Sequence, residues 1–178
     1  MTETELRHAL RYLAWELNGF PSWLEKLHRA YPKIVLDVVL IELHWELAHT
    51  EAGHHIHYIL HDLVYYAPWM HHCLVPSIIA WMEQHEIVNS NTLHYCLYIL
   101  LSGDADDETV SELARSKIAS YAVKEQRAVW YALWVDLDAE KAISAAEEWL
   151  SSLSEDDASR EAQLFITRLM GSRHRVRA

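Results

Sequence analysis

The sequence predicts an all-α fold, and three observations carry that expectation. Only four Gly and four Pro occur in 178 residues, too few for the turns of a β-sandwich or a doubly wound sheet. Apolar residues recur at helical spacing along most of the chain, as at Leu6, Leu10, Leu13 and Leu17,. Capping residues and prolines interrupt that periodicity at intervals that suit roughly nine or ten helices. The chain is 51% hydrophobic and 23% charged, so it can bury a core. A single domain over residues 1–171 with a flexible basic tail at 172–178 is expected.

Residues 4–18 form the first helix, stopped by Asn18-Gly19,. Ser22 and Glu25 have the spacing of a capping box for a short helix that runs to Tyr31,. Pro32 restarts the chain, because proline suits a helix's first turn and opposes continuation of the preceding one. Residues 33–50 are apolar nearly all round, which means burial on more than one side,. Helices near 56–67 and 69–86 follow Gly53, the second with a restart at Pro76, and another spans about 91–102,. The acidic run Asp104–Asp107 caps a helix from 107 to 123,. Residues 125–137 carry Val129, Trp130, Leu133, Trp134 and Leu137. Asp138 caps a helix with Ile143, Ala146, Leu150 and Leu153 on one stripe, and Ser154 opens the last helix, which ends near Met170-Gly171,.

Charge removes one class of partner. With 15 Lys+Arg against 26 Asp+Glu the formal charge is −11, which repels a nucleic-acid backbone. No apolar run reaches the roughly 18 residues of a membrane span, so no membrane partner is expected. Met1–Glu5 is acidic and has no apolar signal core,. Cys73 and Cys96 make no disulfide framework,. A cytoplasmic location is expected. Thirteen histidines predict a strong response to acid between about pH 7 and pH 5.

Two aromatic-proline-tryptophan corners recur, Phe20-Pro21-Ser22-Trp23-Leu24 and Tyr66-Ala67-Pro68-Trp69-Met70. Pro32-Lys33-Ile34-Val35 is echoed by Pro76-Ser77-Ile78-Ile79. A period in the mid-forties with two helices per unit is the spacing of HEAT and armadillo arrays. Together with Ala128–Trp134 and Ala162–Met170, these stretches resemble the α-solenoid region that follows the ATPase core in bacterial NACHT/STAND-type proteins. The resemblance covers most of the chain from about Phe20 onward. It implies a HEAT-like stack of antiparallel helix pairs that acts as a sensor or docking arm. It supplies no catalytic residue, and the chain contains no phosphate-binding loop of the Gly-x-x-x-x-Gly-Lys-Ser/Thr type,.

Ten of the histidines lie between His44 and His94. On one helix His57 and His61 stand a turn apart and would grip a divalent transition metal, with Asp62 or His71, His72 and Cys73 completing a site. The alternative is that His54 and His55 are loop residues and His57 and His61 line a solvated face. His61-Asp62 also resembles the metal-binding pair of HD-type phosphohydrolases, which would draw on His28 and on Asp104 or Asp136,. There it is followed by small and basic residues; here by Leu63-Val64-Tyr65-Tyr66. Glu-x-x-His occurs at Glu5/His8, Glu25/His28 and Glu46/His49, the spacing of carboxylate-bridged di-metal bundles. Against it, Glu25 and His28 lie on a short charged helix.

Nucleophilic catalysis has no support, because there is no Gly-x-Ser-x-Gly elbow and both cysteines lie in apolar runs,. Trp130, Trp134 and Trp149 read as packing between helices. Trp69 with Met70 is expected as an exposed aromatic anchor for a protein. The resulting expectation is a non-enzymatic helical-repeat interaction scaffold without a cofactor, open at one end, with a protein partner or self-association. The runner-up is a metal-dependent hydrolase centred on His57, His61 and Asp62.

Overall fold

The computed structural model describes residues 2–13, 19–53, 57–120 and 126–172. The chain is all-α. Among the described residues there are ten α-helices, a 3-10 turn at Pro68–Met70 and no strand. It divides into two compact units, Met1–Ala105 and Asp106–Ala178.

In the first unit α1 spans Glu3–Leu10, α2 Leu24–Ala30, α3 Pro32–His49 and α4 Ile59–Tyr66. The turn Pro68–Met70 leads into α5, His71–Gln84, and α6 spans Ser90–Ser102. A Thr2/Glu5 capping box opens α1, and Asn89 caps α6 by accepting the N–H groups of Asn91 and Thr92,. Asn89 also donates to the carbonyls of Glu51 and Ala52. The end of α3 and the start of α6 are thereby tied together. His44 of α3 bonds Ser77 of α5 at 2.8 Å, so the two helices meet there. His71, at the start of α5, meets Ser102, at the end of α6, which makes α5 and α6 antiparallel. Val35, Val39, Leu43, Leu60, Leu63, Leu74, Ile78, Ile99 and Leu100 are fully buried.

Two local expectations fail. Ser22 makes no capping box: Leu24 N–H bonds the Pro21 carbonyl and Leu27 N–H the Trp23 carbonyl, both at 2.9 Å. Trp23 therefore occupies the cap position, and Glu25 turns to Arg29 one turn on. Pro76 does not restart a helix. It lies inside α5, and the proline that opens this stretch is Pro68. An interior proline costs about 3 kcal/mol. Leu74 and Ile78 on either side are 0% exposed, and burying each contributes about 1.5–3 kcal/mol, so packing wins. Two helices also end sooner than expected. The first stops at Leu10 rather than at Asn18-Gly19, and the one expected over 107–123 stops at Ala119, where Ser120 is extended (φ −73°, ψ 131°). Asn18 and the basic tail from Arg173 lie outside the described residues.

In the second unit α7 spans Asp107–Ala119, α8 Arg127–Leu137, α9 Ala139–Ser151 and α10 Glu155–Ser172. The expected caps are present. Asp106 accepts the Thr109 N–H at 2.8 Å, Asp138 the Lys141 N–H at 3.4 Å, and Ser154 the Asp157 N–H at 3.3 Å. Helix α8 packs against α7, α9 and α10. Its Ala128, Tyr131 and Val135 meet Ala142, Ala146 and Trp149 of α9, with Phe165 and Leu169 of α10 closing the cluster. Tyr131 and Trp149 stack at 4.6 Å, the packing role expected for these aromatics. Among the described residues, no helix is long and apolar enough to cross a membrane.

Candidate functional site

The histidine-rich middle is organised around Glu46. This residue lies one turn before the end of α3, and it is buried. One carboxylate oxygen accepts the backbone N–H of Tyr58 at 2.8 Å, and the other that of Leu60 at 2.9 Å. The first N–H groups of a helix have no partner within it, and the N-cap residue of α4, Tyr58, offers no side-chain bond. Glu46 supplies the cap from a different helix, with its negative charge at the positive end of the α4 dipole.

Imidazoles and tyrosines pack around this cap. The His57 side chain is buried with Nδ1 3.5 Å from Glu46 Oε1, and its ring meets Tyr95 of α6 edge-on at 5.4 Å. His61 is half-buried. Its Nδ1 lies 3.2 Å from Asp62 Oδ1, and its ring lies 4.8 Å from Tyr65 and 6.4 Å from Tyr95. Burial pushes the Tyr95 hydroxyl up, with help from Tyr65 and Glu46. His57 precedes α4, so it does not share a helix with His61 as the spacing suggested. The two rings flank one tyrosine but address different carboxylates. Among the described residues, no group of three or more His, Cys, Asp and Glu side chains is placed to hold a metal ion. His54 and His55 lie outside the described residues.

The other histidines serve separate contacts. His71 is 1% exposed, with Nε2 2.8 Å from the Leu63 carbonyl and Nδ1 2.7 Å from Ser102 Oγ. It joins α5 to α4 and α6. His28 leans on Trp69 at 5.1 Å, and burial followed by the charge of His72 holds it below its ordinary range. His49 stacks on Trp45 at 4.6 Å and His85 on Trp81 at 4.5 Å. The three Glu-x-x-His pairs do not converge: Glu5 serves the α1 cap, Glu25 pairs with Arg29 and Glu46 caps α4. Burial pushes the Cys73 thiol up and the Cys96 thiol up to about 12, which suppresses the nucleophilic thiolate at both.

Trp69 and Met70, expected at the surface, turn inward. Met70 is fully buried and Trp69 is half-buried against His28. The 3-10 turn at Pro68–Met70 points Met70 into the core. An apolar stripe that runs from half-buried Ile34 and Val38 to exposed Ile41 and Trp45 lies on α3, while other exposed apolar side chains sit on α4 and α10. Ile34, Val38, Ile41 and Trp45 follow a four-three-four spacing, which makes one seam along the helix,. Ile41 is 62% exposed and Trp45 63%, whereas Val35, Val39, Leu43 and Leu47 on the other side are core. Asp37 and Glu42 edge the seam, and Arg7 of α1 reaches Asp37 at 3.3 Å.

A second signal was legible but unread. After Lys33 the next Lys or Arg is Arg115, so residues 34–105 carry eight Asp or Glu, ten His and no permanent cation. In the second unit Arg115 lies over the Trp134 ring at 5.9 Å, and Asp138 pairs with Lys141 at 2.8 Å. The polar groups there engage one another. Neither a family model, nor a curated protein, nor a solved structure matches the chain; its function is read from this geometry.

Proposed function

We propose that the chain is a non-enzymatic helical interaction scaffold and that the α3 seam is its contact surface. One observation carries this reading: a helix whose far side is core leaves Ile41 and Trp45 well over half exposed. Adjacent exposed apolar residues along one helix mark interaction sites more often than single ones do. Covering two such side chains contributes about 1.5–3 kcal/mol each, whereas an exposed ion pair contributes about 0–1 kcal/mol. The apolar seam therefore supplies affinity and its charged edge supplies choice.

A HEAT-like stack within the first unit belongs to the same proposal. Its support is a correspondence at 36 residues rather than in the mid-forties. Tyr31 and Ala67 share one unusual backbone conformation, φ −139°, ψ 60° and φ −132°, ψ 47°. Pro32 and Pro68 follow them. Trp45/His49 and Trp81/His85 are both stacked pairs whose imidazole Nδ1–H donates to the tryptophan's own carbonyl. With α3 touching α5, and α4 and α6 packed together, successive helix pairs bury faces that none could bury alone. A docking or sensing arm like the repeat region of NACHT/STAND-type proteins is the family-level form of this proposal. The negative charge favours a protein partner over nucleic acid,.

The test is the double substitution Ile41→Asp with Trp45→Ala. It should abolish binding of a hydrophobic dye, and any self-association seen by sedimentation, while the melting temperature stays within about 3 °C. A melting temperature lowered by more than about 10 °C would place the seam in the packed interior and end the reading.

A further inference from the structure

We propose that the occupant of the α3 seam is an amphipathic helix of another protein, with apolar residues on one stripe and Lys or Arg beside it. This rests on the seam being a contact surface, and it adds the partner's charge. The seam positions Ile34, Val38, Ile41, Trp45 and Ala48 repeat as the apolar positions of two heptads, a pattern that accepts a partner helix along its length. The flanking positions are acidic. Asp37, with 58% of its side chain exposed, borders one edge, and the half-buried Glu42 the other.

Beyond this edge the balance is negative, although α2, which packs on α3, brings exposed Lys26 and an Arg29 already paired with Glu25, and Arg11 ends α1. Arg7, already shared between Glu3 and Asp37, and Lys33 at the first turn are the cations within α1 and α3 themselves. From Ile34 to Ala105 there is no Lys or Arg, and Glu51, Glu83, Glu86 and Asp104 are exposed. A second copy of this chain laid on the seam would face Asp37 and Glu42 with the same residues, an arrangement that like charges oppose. A helix with basic flanks reverses each of these contacts and is drawn in by the field of the whole unit.

The probes are two three-heptad helical peptides with Leu on the apolar stripe, one with Lys at every flanking position and its twin with Glu. Each is titrated into the full chain by fluorescence anisotropy. The Lys peptide should bind at least about tenfold more tightly than the Glu twin, and lose about tenfold in Ile41→Asp. Its binding should weaken as salt rises and be unaffected by Val88→Asp, a change at an exposed site outside α3. Equal binding of both peptides, lost in Ile41→Asp, would overturn the basic partner and leave the contact surface standing. A dimer that Ile41→Asp dissolves, with neither peptide bound, would make the occupant a second copy and overturn the proposal. No peptide binding by a chain that is monomeric with and without Ile41→Asp would overturn both this inference and the scaffold reading.

Discussion

The Glu46 carboxylate accepts the Leu60 backbone N–H at 2.9 Å across fourteen residues of sequence. With the Tyr58 N–H on its other oxygen, this one side chain closes the end of α3 onto the start of α4. Glu46→Gln keeps the volume but turns an NH2 group toward a backbone donor, so one of the two bonds is lost. The expected cost is about 1–3 kcal/mol, read as a lower urea midpoint. An unchanged midpoint would mean that the α4 cap does not need a carboxylate.

His71 links three helices and sets part of the acid stability. The Leu63 carbonyl accepts only, so Nε2 carries the hydrogen,. In the neutral ring the bare Nδ1 accepts from the Ser102 hydroxyl. On protonation Nδ1–H donates instead, and Ser102 turns its hydrogen to the Tyr98 carbonyl, 2.6 Å away. Burial still holds the imidazole below its ordinary value, against the opposing bond to Leu63. With the folded-state value depressed, the unfolded chain binds the proton more readily. The stabilisation is complete above the unfolded value, near pH 6.5, and is lost as pH falls through it toward the folded value. His28 is shifted the same way by burial and by His72. In His71→Gln, melting temperature against pH should fall less steeply below about pH 6.5, on a baseline lowered by about 1–3 kcal/mol. A variant with the wild-type slope would remove His71 from this role.

Gly19 has φ +94°, and a Cβ there would lie 2.5 Å from the Tyr66 ring. Gly19→Ala meets both backbone strain and that clash, with an expected loss of about 1–3 kcal/mol. The two causes separate in a cycle with Tyr66→Ala, a half-exposed ring. If the clash dominates, Gly19→Ala should cost much less in the Tyr66→Ala background. Equal cost in both backgrounds would assign the loss to backbone conformation alone.

What was legible in the sequence was local. Asp106, Asp138 and Ser154 announce their helices because each cap binds an N–H three residues on, and Pro32 announces α3 because it fits only the first turn,. Pro76 misled because burial of Leu74 and Ile78 overrides the proline rule, a balance no local pattern carries. Glu46 went unrecognised as a cap because its acceptors' partners are backbone groups twelve and fourteen residues away. A backbone donor leaves no residue-type signature. The α3 seam was half visible: an apolar helix was expected to bury more than one side, but only the fold says which stripe stays bare.

The metal reading of His57, His61 and Asp62 makes the sharpest contrast with the scaffold. His61 and Asp62 are adjacent at 3.2 Å, but His57 is turned to Glu46, which already holds two backbone N–H groups. Recruiting His57 and Glu46 to an ion would strip the cap from α4, so a metal and this cap compete for the same oxygens. The scaffold reading expects freshly purified, untagged protein to contain less than about 0.1 transition metal per chain by elemental mass spectrometry, and to melt at the same temperature before and after a chelator. His61→Ala and Asp62→Ala should each cost no more than about 1 kcal/mol, since both side chains are partly solvated,. One or two ions per chain, with melting lowered by chelator and by His61→Ala alike, would displace the scaffold in favour of a metal centre and make phosphate esters the first substrates to assay.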